Sequence, residues 1–352
     1  MSKITTYVIR GKQPESRHEA KCIIKDLQKN IIFSTKHNND LIFPRSAIKI
    51  FQAIPFASSG AINKFHLNSK QIALACSSHS GELFHIKELA KWINKLGISI
   101  RRLQCGIHNP LNLNSSNRLL LSGTKPNQLY NNCSGKHLGM LSGSIANHYN
   151  ISDYLQFDHP YQIKIRKTLE LYSQKKIPKK NFAIDGCSAP QYAFSLNDLS
   201  EALINLVKSY QTMFKNAYEV QLLMNSVFDN PNMIGGNLKF DTHLIKTCNK
   251  KLFCKYGAEG VFLFVHLTKK IVGVIKIKDG NERALPSVVC TLLKKLKITS
   301  TEENKKLLLK LKKKKKKLIL LNVLNNNEFD DEMKKQLGEE NMELIMESSY
   351  NC

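Results

Sequence analysis

Apolar, β-branched runs and polar turns follow one another over the first forty residues. "TTYVIRG", "EAKCIIKDL" and "NIIFSTKH" are β-branched runs parted by polar turns, which predicts three strands of an antiparallel meander. The period then lengthens. In "FPRSAIKIFQAIP", Ile48, Phe51 and Ile54 recur at helical spacing, with Pro44 and Ser46 as start signals and Pro55 as the stop. "QIALACSS" reads as a buried strand. "HSGELFHIKELAKWINKLG" reads as a helix whose Leu89, Trp92, Ile93 and Leu96 share one face and whose Gly97 caps its end. Loop and helix signals fill the middle third, up to a long helix from Asn197 with Leu199, Ala202, Leu203, Leu206 and Val207 on one side. "GAEGVFLFVHL" and "KIVGVIKIKDG" then flank "TKK" as a hairpin, and "RALPSVVCTLLKKLK" follows as a helix. Helices set between strand groups predict an α+β fold with an antiparallel sheet, not a doubly wound parallel one.

Beyond about residue 298 the periodicity dissolves into a run of lysines from Lys312 to Lys317, an asparagine block and an acidic end. The chain thus divides into a domain over 1–298 and a low-complexity tail over 299–352, expected to be disordered or degenerate.

The formal charge of +25 over 352 residues raises the question of a nucleic-acid partner, since dense lysine neutralises phosphates. Its distribution answers no. Residues 301–352 hold the lysine run yet carry 11 basic against 10 acidic side chains, and the excess is scattered over the body among asparagine and isoleucine. No apolar run reaches spanning length, and "MSKITTYVIRGKQPES" lacks the apolar core of a signal peptide. The expectation is a cytoplasmic protein with neither a nucleic-acid nor a membrane partner. Its nine cysteines then read as reduced thiols, metal ligands or reactive groups.

Candidate chemistry concentrates in five loops: "PRSAIK", "SSHSGE", "NNCSGKH", "DGCSAP" and "KYGAEG". The third is not a phosphate loop, because Gly135-Lys136 lacks the P-loop spacing. Ser46 and Lys49 lie at i and i+3, so on a helix the amine can reach the hydroxyl. A lysine desolvated beside another cation, here Arg45, can act as the base a serine needs. Lys255, followed by glycine just before a strand, resembles the Lys-Thr-Gly of serine penicillin-recognising enzymes, which pairs with an early Ser-x-x-Lys.

Taken in order, "FPRSAIKIFQAIP", "SSHSGE", "LQCGIHNP", "NNCSGKHLGML", "FDHPYQ", "IDGCSAPQYAFSL", "KYGAEGV" and "IKIKDGNERA" resemble the bacterial asparaginase II family of Rhizobium-type, thermolabile L-asparaginases, over roughly residues 5–296. The resemblance implies a serine-β-lactamase-like fold, a homodimer, and hydrolysis of L-asparagine to L-aspartate and ammonia. Carried over, Ser46 with Lys49 and Ser78 with Lys255 look like two Ser–Lys tandems, Ser46 being the expected nucleophile. Cys133, Lys136 and Cys187 match positions that hold a zinc ion. Arg45, Ser134, His137 and Asp185 match substrate-contacting positions. Two soft thiolates suit zinc, and the ion would depress the Lys136 amine so that it can ligate. Asp185 is suited to an α-ammonium and Arg45 to an α-carboxylate. Two departures stand out: Lys239 takes a place where the family commonly has arginine, and the family's last strand is missing after Lys317, as a slipped frame in an adenine tract would leave it.

Overall fold

The computed structural model describes residues 4–10, 13–312 and 319–323. Its strands are β1 (Ile4–Arg10), β2 (Gln13–Asp26), β3 (Ile31–Ser34), β4 (Phe182–Ile184), β5 (Pro190–Tyr192), β6 (Leu252–Gly257), β7 (Val261–His266), β8 (Ile271–Ile277) and β9 (Ile319–Val323). Seven form one sheet in the order β6-β7-β8-β2-β1-β9, with β3 also beside β2, and every pairing is antiparallel. This is the α+β architecture expected, an antiparallel sheet with flanking helices and a helical region. The predicted meander is present: β2 holds β1 at Ile4↔Ala20 and then β3 at Ser34↔Ile23 along one edge, and β8 along the other. Strand β7, "VFLFVH", is buried throughout; it pairs on both edges, and the Leu196–Tyr210 helix packs across β2, β7 and β8.

The helical region is built around the Lys49–Ala57 helix, all of whose residues are buried. It packs against the Ser134–Ala146, Pro160–Ser173 and Ala217–Asp229 helices. Pro55 does not stop it. The proline lies in the last turn, where the missing N–H costs one ladder bond, and the helix runs on to Ala57.

"QIALACSS" is not a strand. Ser69–Ala75 is a helix whose capping box joins Asn68 and Gln71, each side chain bonded to the other's backbone N–H. A short apolar run buried on every side has no period to read. The Leu83–Leu96 helix ends as expected at Gly97, which takes the left-handed conformation with φ 65°.

Structure continues past residue 298. The Thr301–Lys312 helix buries Leu307, and the Asn304 amide donates to the Cys290 carbonyl at 3.0 Å. Strand β9 pairs with the outer edge of β1 from Ile9↔Ile319 to Thr5↔Val323. The lysine run after Lys312 and everything after Val323 lie outside the described residues. Among the described residues no helix is long and apolar enough to cross a membrane, and the eight cysteines are all free and buried.

Candidate active site

The predicted loops converge where the Arg45–Ile48 turn and the Lys49–Ala57 helix meet the Ser77–Glu82 loop, the start of the Ser134–Ala146 helix and the end of β6. Gly135 makes the third approach possible: a Cβ there would lie 2.2 Å from the Leu74 carbonyl oxygen, so only glycine lets the two helices touch.

Lys49 is 1% exposed. Its amine donates to the Ser77 carbonyl, to Ser78 Oγ at 2.9 Å and to Cys133 Sγ at 3.2 Å. Burial holds its pKa below the ordinary lysine value, the Cys133 sulfur opposes, and the Lys136 and Lys255 cations reinforce. An amine so placed gives up its proton more readily than a solvated lysine, the direction a general base needs.

Lys255 is equally buried but differently partnered. It donates to Asp241 Oδ2 at 3.2 Å and to the Tyr256 carbonyl at 3.0 Å. The bonds therefore cross the expected tandems: Lys49 holds Ser78, and Lys255 holds a carboxylate that the five loops do not contain. Ser46 stands half-buried in the turn just ahead of Lys49.

Arg45 Nε donates to Asp185 Oδ1 at 2.5 Å. Asp185 begins the turn between β4 and β5, where its N–H bonds the Ala189 carbonyl. Arg45 takes φ 53°, a left-handed conformation that costs a non-glycine residue about 1 kcal/mol and directs its side chain across to Asp185. A cleft of about 830 Å³ reaches this pair and Gly186, with Lys21, Ile42 and Lys276 on its walls.

Cys133, Lys136 and Cys187 do come together. The Lys136 amine donates to Cys187 Sγ at 3.1 Å, and Cys187 Sγ lies 3.7 Å from Asp185 Oδ2. The two thiols shift each other in opposite directions. A hydrogen bond from Cys133, with the Lys136 ammonium beside it, favours Cys187 as the thiolate, and Cys133 is pushed up in turn. Burial works against charge on Lys136, but Cys187, Cys133 and Asp185 outweigh it and raise its pKa. His137 is fully buried; its Nδ1 shares a 2.7 Å hydrogen bond with the Tyr154 hydroxyl, and Nε2, near Cys187, has no hydrogen-bond partner. Two sulfurs and His137 Nε2 are donors of the kind zinc takes, and the Lys136 amine would join them only on losing its proton; among the described residues no group of three or more His, Cys, Asp or Glu side chains is gathered as a ready metal site.

Ser134 is placed otherwise. Its hydroxyl donates to the Leu129 carbonyl at 3.0 Å and accepts from His79 Nε2 at 2.8 Å, and the residue is fully buried. Because the Gly81 N–H donates to His79 Nδ1, that ring carries its proton on Nε2 and braces the start of the helix. His79 was inside a quoted motif, though unassigned. Tyr154 and Asp241 were likewise given no role; their partners lie 17 and 14 residues away in the chain.

No curated protein matches the sequence. Among solved structures, the chain is similar to a Bacteroides dorei protein provisionally named a beta-lactamase, at 12% identity and a TM-score of 0.39, over 78% of this chain and 93% of that one. The model of the L-asparaginase II family matches residues 6–322, a span that takes in every residue of the cluster just described, and the chain belongs to that family.

Proposed function

We propose that the protein hydrolyses L-asparagine to L-aspartate and ammonia through a serine nucleophile activated by Lys49. The observation that carries this is the buried Lys49 amine, bonded to Ser78 Oγ with no carboxylate among its hydrogen-bond partners. The serine oxygen attacks the side-chain carboxamide carbon and its proton passes to Lys49. The tetrahedral adduct expels ammonia, which takes that proton, and water then attacks the β-aspartyl ester with Lys49 again as the base. Arg45 and Asp185, paired with each other at 2.5 Å, would exchange that bond for the substrate's α-carboxylate and α-ammonium.

The order of motifs names Ser46 as nucleophile; the hydrogen bond to Lys49 favours Ser78 as the hydroxyl to be deprotonated first. Either Ser78 relays the proton of Ser46, or it attacks itself. Cys133, Lys136 and Cys187 would hold zinc, with His137 Nε2 close by. When bound, the ion would supply positive charge and Lewis acidity beside the substrate pocket. The same reading includes a cytoplasmic homodimer without nucleic-acid or membrane partners.

The test is ammonia release from L-asparagine by the purified protein, with acid quench and peptide mass mapping of the ester in wild type, Ser46→Ala and Ser78→Ala. An ester on Ser46 that persists in Ser78→Ala assigns the relay to Ser78. Wild type without ammonia release ends the proposal.

A further inference from the structure

We propose that Asp241 is a positioning residue of this site, fixing Lys255 as a permanent cation beside Lys49, so that Lys255 acts by its charge and takes no proton in the reaction. The inference rests on the amidohydrolase reading above and divides the labour between its two lysines.

The geometry is that of a buried ion pair. Lys255 Nζ and Asp241 Oδ2 are 3.2 Å apart, with the two side chains 1% and 4% exposed. Asp241 sits in the first turn of the Phe240–Thr247 helix, which packs on β6. Its carboxylate also accepts from the Thr242 and Tyr256 N–H groups, at 3.0 and 3.4 Å. A charge removed from water needs such a partner or it neutralises. Lys255 has one; Lys49 has a carbonyl, a hydroxyl and a thiol instead.

The groups around the Lys255 amine are few. Asp241 faces it from the Phe240–Thr247 helix, Lys49 from the Lys49–Ala57 helix, Cys76 from the end of the Ser69–Ala75 helix, and Cys254 and Tyr256 flank it on its own strand. The Arg45–Ile48 turn brings Arg45, already paired with Asp185, and β7 places Leu263 opposite. Asp241 is the carboxylate among them. A cation held in place in a low-dielectric pocket stabilises the oxyanion of an amide adduct without reorganising, whereas a base must give up its proton each cycle.

Arginine cannot be deprotonated in a protein, which separates the two roles. Lys255→Arg should keep at least a hundredth of the wild-type kcat on L-asparagine, while Lys255→Met falls at least a thousandfold. Asp241→Asn should lower kcat at least tenfold with KM within threefold, and add less than twofold when placed on Lys255→Met. Lys255→Arg as inactive as Lys255→Met would make the lysine a proton acceptor and overturn the proposal. So would an Asp241→Asn loss equally large in both backgrounds, the mark of a merely structural role. Denaturant unfolding supplies a readout independent of substrate: the double variant should regain midpoint lost by each single change, and no recovery would refute the pairing. If wild type released no ammonia, the activity reading would fall and this unfolding cycle would still decide whether Asp241 and Lys255 act as a pair. Singles too unstable to purify, with a double variant that folds, count as that recovery.

Discussion

Gly257 closes β6 opposite Val261, and its missing side chain is where the sheet admits the Arg45–Ile48 turn. A Cβ at this position would stand 2.4 Å from the Pro44 carbonyl oxygen, 3.0 Å from the Ala47 nitrogen and 3.1 Å from the Ala47 Cβ. Non-bonded carbon contacts relax near 3.5 Å, so Gly257→Ala must push the turn back by about 1 Å. The first obstacle is backbone, and no rotamer change relieves it. Overpacking of this kind costs about 1–3 kcal/mol of stability. The displaced segment carries Arg45 and Ser46 and leads into Lys49. A reacting group misplaced by about 1 Å loses about a hundredfold in rate, or about 2.7 kcal/mol in the barrier. Gly257→Ala is therefore expected to fold, to unfold at lower denaturant, and to show a kcat reduced about a hundredfold in an ammonia-release assay. A variant with kcat within twofold of wild type would refute the reasoning, because the turn would then have no need of its present position.

Lys49→Met, which keeps the apolar stem and removes the amine, should lower kcat by about a thousandfold, the range of general-base catalysis, with unfolding monitored to confirm the fold. His85 makes stability depend on acid: burial depresses its pKa to about 4, and its ring accepts from the Glu82 N–H and donates to the Asn232 carbonyl as the neutral form requires. The unfolded chain takes up that proton as pH falls through about 6.5, so His85 should cost up to about 3 kcal/mol between pH 6.5 and 4 and nothing further below; equilibrium unfolding of His85→Asn with an unchanged slope in that window would disprove it. Deleting residues 301–352 removes β9 from the edge of β1 together with the buried Leu307, at a cost of at least about 2 kcal/mol for that side chain alone; unaltered thermal and denaturant midpoints would contradict it. Protein purified without chelator should carry about one zinc per chain, the stoichiometry of a single three-ligand site, and Cys133→Ala with Cys187→Ala should abolish it by metal analysis; zinc retained by the double variant would place the ion elsewhere.

Local pattern was enough for much of the fold. β-branched runs parted by polar turns marked the first three strands and the β7–β8 hairpin, and the stripe of Leu89, Trp92, Ile93 and Leu96 marked its helix, because that helix buries one face and its period shows which. The same logic failed at "QIALACSS", where burial on every side erases the period and a cap at Asn68 decides for helix. It failed again beyond residue 298, where composition hid a strand whose reason for forming is the free edge of β1, some 310 residues earlier in the chain. The candidate site divides in the same way. Residue types, motif order and the family resemblance named Lys49, Lys255, both thiols, and Arg45 and Asp185 as separate substrate contacts; that Arg45 and Asp185 pair with each other came from the structure. Which lysine holds which partner was not legible: Lys255 reaches Asp241 because the Phe240–Thr247 helix packs on β6, while Lys49, equally buried, reaches Ser78 because the Ser77–Glu82 loop lies against its helix.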